Sequence, residues 1–279
     1  MESKIILITG ANSGIGKATA TALAEMGAHV VMMSRDLVKG EKARQEVIRV
    51  SKNNQIDLMQ CDLASMISIR RFAAEFIAKY PRLDVLINNA GIFTDPRMET
   101  ADGFEYQIGV NHLGHFLLTQ LLLDLLKRSS PARIINVSSG AHFGGKIDFN
   151  DLHLQHKYSA WKSYAQSKLA NVLFTYELAH RLSGTGITVN CLHPGFVNTR
   201  FAYNRESEKP NWLIKLAKPF TIPPAHGAET SIYLAASPEV EGVTGKYFAK
   251  RKEKASSRAS YDLVVAEKLW NLSKALTAG

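Results

Sequence analysis

Cysteine is scarce in this chain: the 279 residues include two, Cys61 and Cys191. They lie far apart, each inside a run that reads as a buried strand, and they make neither a metal-ligand spacing nor a disulfide framework. A reducing compartment is the expectation. Long hydrophobic runs are missing too. The longest apolar stretch near the front, Ile5-Ile6-Leu7-Ile8, is far too short for a signal h-region or a membrane span, so a cytoplasmic protein without a span is expected. Acidic residues are outnumbered, 25 against 34 basic, which leaves a formal charge of +9. The excess is scattered. Its tightest group, Lys250-Arg251-Lys252-Glu253-Lys254, reads as a solvated loop, and without an aromatic-interleaved basic stripe nucleic acid is not an expected partner. His112, His115, His142, His153 and His156 have mixed spacings and lack a carboxylate or cysteine partner set. They read as packing or pocket residues, and no metal is expected.

What is present is an alternation. Short β-branched runs at 5–9, 29–34, 56–61, 85–88, 133–138, 188–192 and 246–248 read as strands. Amphipathic segments at 16–26, 38–51, 65–79, 114–127, 164–182 and 225–235 read as helices, with Asp36 and Ser65 as N-caps and Gly27 and Gly184 as stops. Near-continuous apolar strands, each followed by a helix, imply a parallel sheet covered on both faces. The expected fold class is therefore α/β, a doubly wound parallel sheet in a three-layer sandwich. No repeat, low-complexity tract or linker divides the chain, so one domain over 1–279 is expected. A segment of about 196–224 breaks the rhythm with four prolines and several aromatics, as a lid or binding insertion would.

The first strand runs into Thr9-Gly10-Ala11-Asn12-Ser13-Gly14-Ile15-Gly16 and then directly into a helix. Glycines at such a turn let the backbone approach a pyrophosphate, while the helix N-terminus offers free N–H groups and positive potential. After the first strand of an α/β alternation this reads as a dinucleotide site. At the end of the second strand an acid would bind a ribose 2′-hydroxyl and repel a 2′-phosphate. Ser34 stands there, followed by Arg35, whose guanidinium suits a phosphate. NADP(H) is thus expected over NAD(H). Downstream, Tyr164 and Lys168 are four residues apart at the start of a helix, hence on one face. An ammonium beside a phenol favours phenolate and would draw its ordinary pKa of about 10 toward working pH.

Taken together, Thr9-Gly-x-x-x-Gly14-x-Gly16, Asp62-Leu63, Asn88-Asn89-Ala90-Gly91, Asn111, Asn136-Val137-Ser138-Ser139, Tyr164-x-x-x-Lys168 and Pro194-Gly195 resemble the short-chain dehydrogenase/reductase family over essentially the whole chain. Asn12-Ser13, Arg35-Asp36, Val110-Asn111-His112-Leu113-Gly114-His115-Phe116, Ser167-Lys168-Leu169-Ala170-Asn171, Gly245-Lys246-Tyr247-Phe248 and Leu269-Trp270 resemble its retinol dehydrogenase-like branch. The resemblance implies an NADP(H)-dependent oxidoreductase that interconverts a carbonyl and an alcohol. Tyr164 would be the general acid or base, Lys168 would lower its pKa and hold the nicotinamide ribose, Ser139 would bond the substrate oxygen, and Asn111 would keep a water in a proton relay. Asp62 and Leu63 would flank adenine. Asn89, Ala90 and Gly91 would line the ribose and nicotinamide side, and Pro194, Gly195, Val197 and Thr199 would border the nicotinamide, Thr199 at its carboxamide. Asn88 reads instead as a brace for the central sheet. A catalytically silent dinucleotide sensor is the alternative, although such a protein should have lost Ser139, Tyr164 or Lys168. A hydrophobic ketone or aldehyde is the expected substrate, since Phe201, Tyr203, Trp212, Leu213, Leu216 and Phe220 would make an apolar lid, with an oligomer contact the alternative for the same residues. The resemblance further implies a homodimer or homotetramer, since in this family the helices at 114–127 and 164–182 commonly pair between subunits; both also carry more apolar positions than one sheet contact needs.

Overall fold

The structure, a computed structural model, describes residues 1–195 and 223–278. Among the described residues seven parallel strands, β1 (Ile5–Thr9), β2 (His29–Ser34), β3 (Ile56–Gln60), β4 (Val85–Asn88), β5 (Ala132–Val137), β6 (Ile187–His193) and β7 (Lys246–Ala249), form one sheet with an eighth, β8 (Lys252–Lys254). The order is β3-β2-β1-β4-β5-β6-β7-β8, and β8 alone runs antiparallel. The order reverses between β1 and β4, so a crevice opens beyond their carboxyl ends, where α/β sheets bind ligands.

The helices cover both faces as the apolar strands require. On one face α1 (Gly14–Glu25), α2 (Leu37–Ser51) and α7 (Pro224–Ala236) close a core with Leu23, Val47 and Leu234. On the other, α3 (Met66–Lys79), α5 (Gly114–Arg128) and α6 (Ala160–Arg181) pack Phe72, Phe76, Phe116 and Phe174 against the sheet. Asp36 and Ser65 cap α2 and α3 by accepting from Lys39 N–H and Ser68 N–H. Asn88 braces the sheet as expected. Its Nδ2 donates to Asn136 Oδ1 at 2.8 Å and to Thr119 at 3.0 Å, and Asn136 passes the chain on to Thr175 at 2.9 Å.

Several expectations need correction. The basic run at 250–254 is a hairpin, not a loop: Lys250 and Arg251 both take positive φ, 53° and 60°, and Lys252–Lys254 pairs back on β7. Cys61 follows β3 instead of lying within it, although it is buried. Helix α6 begins at Ala160, capped by Ser159, so Tyr164 lies in its second turn and not at its start. The insertion ends sooner, because Pro224 opens α7.

The largest difference is α8 (Leu263–Leu276), whose cap is Asp262 and whose buried stripe is Ala266, Leu269, Trp270 and Ser273. This helix lies on α6. Trp270 meets Phe116 edge-on at 5.0 Å between ring centres and stacks on Phe174 at 6.0 Å. The apolar excess of α5 and α6, one part of the ground for expecting a dimer or tetramer, is therefore covered at these residues by α8 of the same chain.

Candidate active site

The turn after β1 is shaped by its two flanking glycines. Gly10 has φ +64°, a conformation that side chains disfavour, and its Cα faces Ala90. At Gly16 any Cβ would lie 2.5 Å from both the Asn89 amide nitrogen and the Gly10 carbonyl. Thr9 ties this turn to the next loop, since its hydroxyl accepts from Asn89 N–H at 2.9 Å and Ala90 N–H at 2.8 Å. Asn89 itself turns inward and donates to the Thr9 carbonyl at 2.8 Å, so it braces the turn as well as bordering the crevice. Ser13 holds the N-cap position of α1 without capping it, and the first turn contains no acid. The leading N–H groups of Gly14, Ile15 and Gly16 thus have no side-chain cap, and the half-buried Asn12 and exposed Ser13 precede them.

At the neighbouring strand ends Ser34 is buried and donates to the Asp36 carbonyl at 2.9 Å. Arg35 reaches across the crevice mouth to the Tyr106 hydroxyl at 2.8 Å and lies 4.0 Å from Asp62. Asp62 accepts from Ala64 N–H at 3.0 Å, and Leu63 beside it is buried. These four residues occupy one edge of the crevice. Gly91 and the Pro194-Gly195 turn lie on its other side, Gly195 with φ +89°. Val197, Thr199 and the six apolar residues from Phe201 to Phe220 lie outside the described residues.

Beyond β5 the strand end is pinned by Ser138, whose hydroxyl donates to the Lys168 carbonyl at 2.7 Å. Ser139 follows, its Oγ accepting from Ala141 N–H at 3.2 Å, which leaves the hydroxyl proton free to point at the phenol of Tyr164. Lys168 is one helical turn on, with Nζ bonded to the Val137 carbonyl at 3.1 Å and 5.7 Å from the centre of the Tyr164 ring. Asn111 lies in a π turn (Gly109–Leu113) that joins the short α4 (Tyr106–Ile108) to α5. Its side chain bonds Ile92 N–H at 2.8 Å, the Ile92 carbonyl at 3.0 Å and Ser167 at 2.9 Å, while its own carbonyl accepts from His115 at 3.0 Å. Ser139, Tyr164 and Lys168 therefore meet at one place, with Asn111 behind them.

The short chain dehydrogenase family model matches residues 4–210. This chain belongs to the short-chain dehydrogenase family. Human retinol dehydrogenase 14 is 49% identical to it, the match covering 99% of this short-chain dehydrogenase and 87% of that protein. Human retinol dehydrogenase 12 is 48% identical, with 98% and 86% covered. Among solved structures, a protein of Mycobacterium paratuberculosis shares 37% identity with a TM-score of 0.81 over 99% of this chain and 94% of its own. The Pseudomonas aeruginosa RhlG/NADP complex shares 27% at a TM-score of 0.71, covering 89% and 94%.

Electrostatics in this dehydrogenase's site differ from the expectation in one respect. Burial pushes the Tyr164 phenol up to about 12, against the opposing pull of the Ser139 hydroxyl, and burial lowers the Lys168 ammonium to about 8. In the protein alone desolvation, not the ammonium, sets the phenol. Two neighbours escaped the sequence reading. Phe93 meets the Tyr164 ring edge-on at 5.7 Å, and Trp161, 58% exposed, lies 6.2 Å from it. Neither carries a motif. The helix cap at Ser159 was the available signal for Trp161, since it puts 161 and 164 three apart on one helical face.

The donor set fits a dinucleotide: an uncapped helix start for pyrophosphate, a guanidinium at the adenosine end and a lysine beside the phenol. Among the described residues no group of His, Cys, Asp and Glu could hold a metal ion, and no helix is long and apolar enough to cross a membrane.

Proposed function

We propose that this protein is an NADP(H)-dependent oxidoreductase that interconverts a hydrophobic ketone or aldehyde and its alcohol. The observation that carries the reading is the convergence of Ser139, Tyr164 and Lys168 beside the dinucleotide crevice. When bound, the cofactor supplies or takes the hydride. The chain's own groups do the rest. Ser139, its oxygen steadied by Ala141 N–H, donates to the substrate oxygen and stabilises charge that develops there. In reduction Tyr164 gives that oxygen its proton, and in oxidation takes it back. Lys168, one helical turn from the phenol, would hold the nicotinamide ribose. Asn111, locked between Ile92 and Ser167, keeps the π turn in place behind the lysine, where it would keep a water in a proton relay.

Arg35 and the absence of an acid at position 34 support the 2′-phosphorylated cofactor. Phe93 and Trp161 give the phenol apolar walls, which favours a bulky apolar substrate, and the likeness to retinol dehydrogenases makes a retinoid a fitting member of that class. The test is a panel of carbonyls with NADPH. Bulky apolar aldehydes and ketones should be reduced well above small polar sugars; the reverse order would overturn the substrate reading.

A further inference from the structure

The peptide that joins Ser139 to Gly140 is held on both edges by imidazoles. Its carbonyl accepts from His142 Nδ1 at 2.6 Å and from the His142 backbone N–H at 3.1 Å. Its N–H donates to His193 Nδ1 at 3.0 Å, across from the end of β6. The far nitrogen of His142, Nε2, accepts from Ser257 N–H at 3.0 Å, which links the ring to the segment before α8.

Hydrogen-bond accounting fixes both tautomers. A ring nitrogen that accepts from an N–H carries no proton. His142 therefore bears its proton on Nδ1, where it donates to the Ser139 carbonyl. His193 bears its proton on Nε2 and offers a bare Nδ1 to Gly140. One ring gives to the peptide and the other takes from it. The His142 ring is fully buried, packed 4.9 Å from Tyr247, and burial keeps both imidazoles below their ordinary value of 6.5, hence neutral at pH 7.

We propose that His142 and His193 are positioning residues, a pair of opposite tautomers that clamps the Ser139–Gly140 peptide and so sets where the Ser139 hydroxyl meets the substrate oxygen. The proposal rests on the reading of Ser139 given above. The clamp needs the acceptor at Nδ1 of His193 and the donor at Nδ1 of His142. An asparagine, whose amide occupies nearly the place of Nδ1, should replace either ring at that contact; phenylalanine should replace neither.

The first test does not depend on turnover. In protein labelled with 15N-histidine, long-range imidazole spectra at pH 7, assigned through His142→Asn and His193→Asn, should show His142 as the Nδ1–H form and His193 as the Nε2–H form. The same tautomer in both, or a charged ring, overturns the clamp. A wild type that reduces no carbonyl with NADPH would instead sink the functional reading and leave the tautomers standing. The second test is kinetic. His193→Phe and His142→Phe should lower kcat by at least about tenfold while NADPH affinity, measured by direct binding, stays within about twofold. The Asn variants should recover most of kcat. Folded Phe variants with near wild-type kcat, or a loss seen only in cofactor affinity, contradict the proposal. If the Phe variants do not fold, His193→Asn against His193→Gln decides, because Gln carries its amide too far out: Asn should be active and Gln impaired, and equal activity overturns the clamp.

Discussion

Lys168 Nζ lies 5.7 Å from the centre of the Tyr164 ring, one helical turn away, with both side chains buried beside the half-buried Ser139. In this pair the phenol is the group with a proton to exchange with a substrate oxygen, whereas the ammonium is tied to the Val137 carbonyl. Tyr164→Phe should therefore nearly abolish turnover and leave NADPH binding close to unchanged. Retention of more than about a tenth of wild-type kcat, a barrier change below about 1.4 kcal/mol, would show that another group moves the proton.

Cofactor choice turns on Arg35. Its guanidinium spans from Tyr106 to the neighbourhood of Asp62, at the mouth of the crevice where the adenosine ribose would lie. A 2′-phosphate should outcompete a phenol for it, with charge-assisted bonds worth about 1.5–3 kcal/mol. Wild type should then prefer NADPH over NADH by more than about tenfold in kcat/KM. Ser34→Asp with Arg35→Ala should erase or invert that preference, since the new acid repels the phosphate and accepts from an unmodified ribose. Equal use of both cofactors by the wild type, compared at fixed ionic strength, would show that Arg35 serves Tyr106 alone.

The parallel sheet and its seven strands were legible because short apolar runs alternate with longer amphipathic segments. The hairpin at 250–251 was not. Two-residue turns with positive φ at both positions usually announce themselves with Asn-Gly, and here Lys and Arg adopt that conformation. Helix α8 was hidden for another reason: Leu263 and Val264 are 76% exposed, so apolar residues on the wet side blurred the stripe of Ala266, Leu269 and Trp270. In the site, residues on turn-and-helix motifs could be placed by spacing. The roles of His142, His193 and Thr9 depend on backbone partners 50 to 115 residues away, a pairing that no local pattern encodes.

Trp270 is the residue that fastens α8. Besides its contacts with Phe116 and Phe174, it carries the Arg181 guanidinium 4.5 Å above its ring. Trp270→Ala should cost about 3–5 kcal/mol in urea unfolding, the range for a large aromatic lost from a core. It should also expose apolar surface on α5 and α6 and raise self-association in light scattering. A cost below about 1 kcal/mol would mean that α8 is loosely held, and the expectation of pairing through α5 and α6 would regain its ground.

Acid should weaken the fold through His115. Thr9 Oγ already accepts two backbone N–H groups, so its one proton goes to His115 Nε2 at 2.9 Å, and His115 Nδ1–H goes to the Asn111 carbonyl. Neither ring nitrogen has room for a further proton. Burial, with the Lys168 charge a smaller cause, holds this imidazole at about 4, and burial holds His112 at about 3. Both lie below the value of about 6.5 that an unfolded chain would show. As pH falls below 6.5 the unfolded state therefore takes up protons that the folded state refuses, and stability declines until the folded values are reached. For His115 alone the loss between pH 7 and pH 4.5 should be about 2–3 kcal/mol. Urea unfolding at both pH values should show a smaller difference in His115→Leu, even though that variant is less stable at pH 7 for want of partners for Thr9 and Asn111. An unchanged pH difference in His115→Leu would mean that His115 is already protonated in the native state, and that Thr9 sends its proton elsewhere.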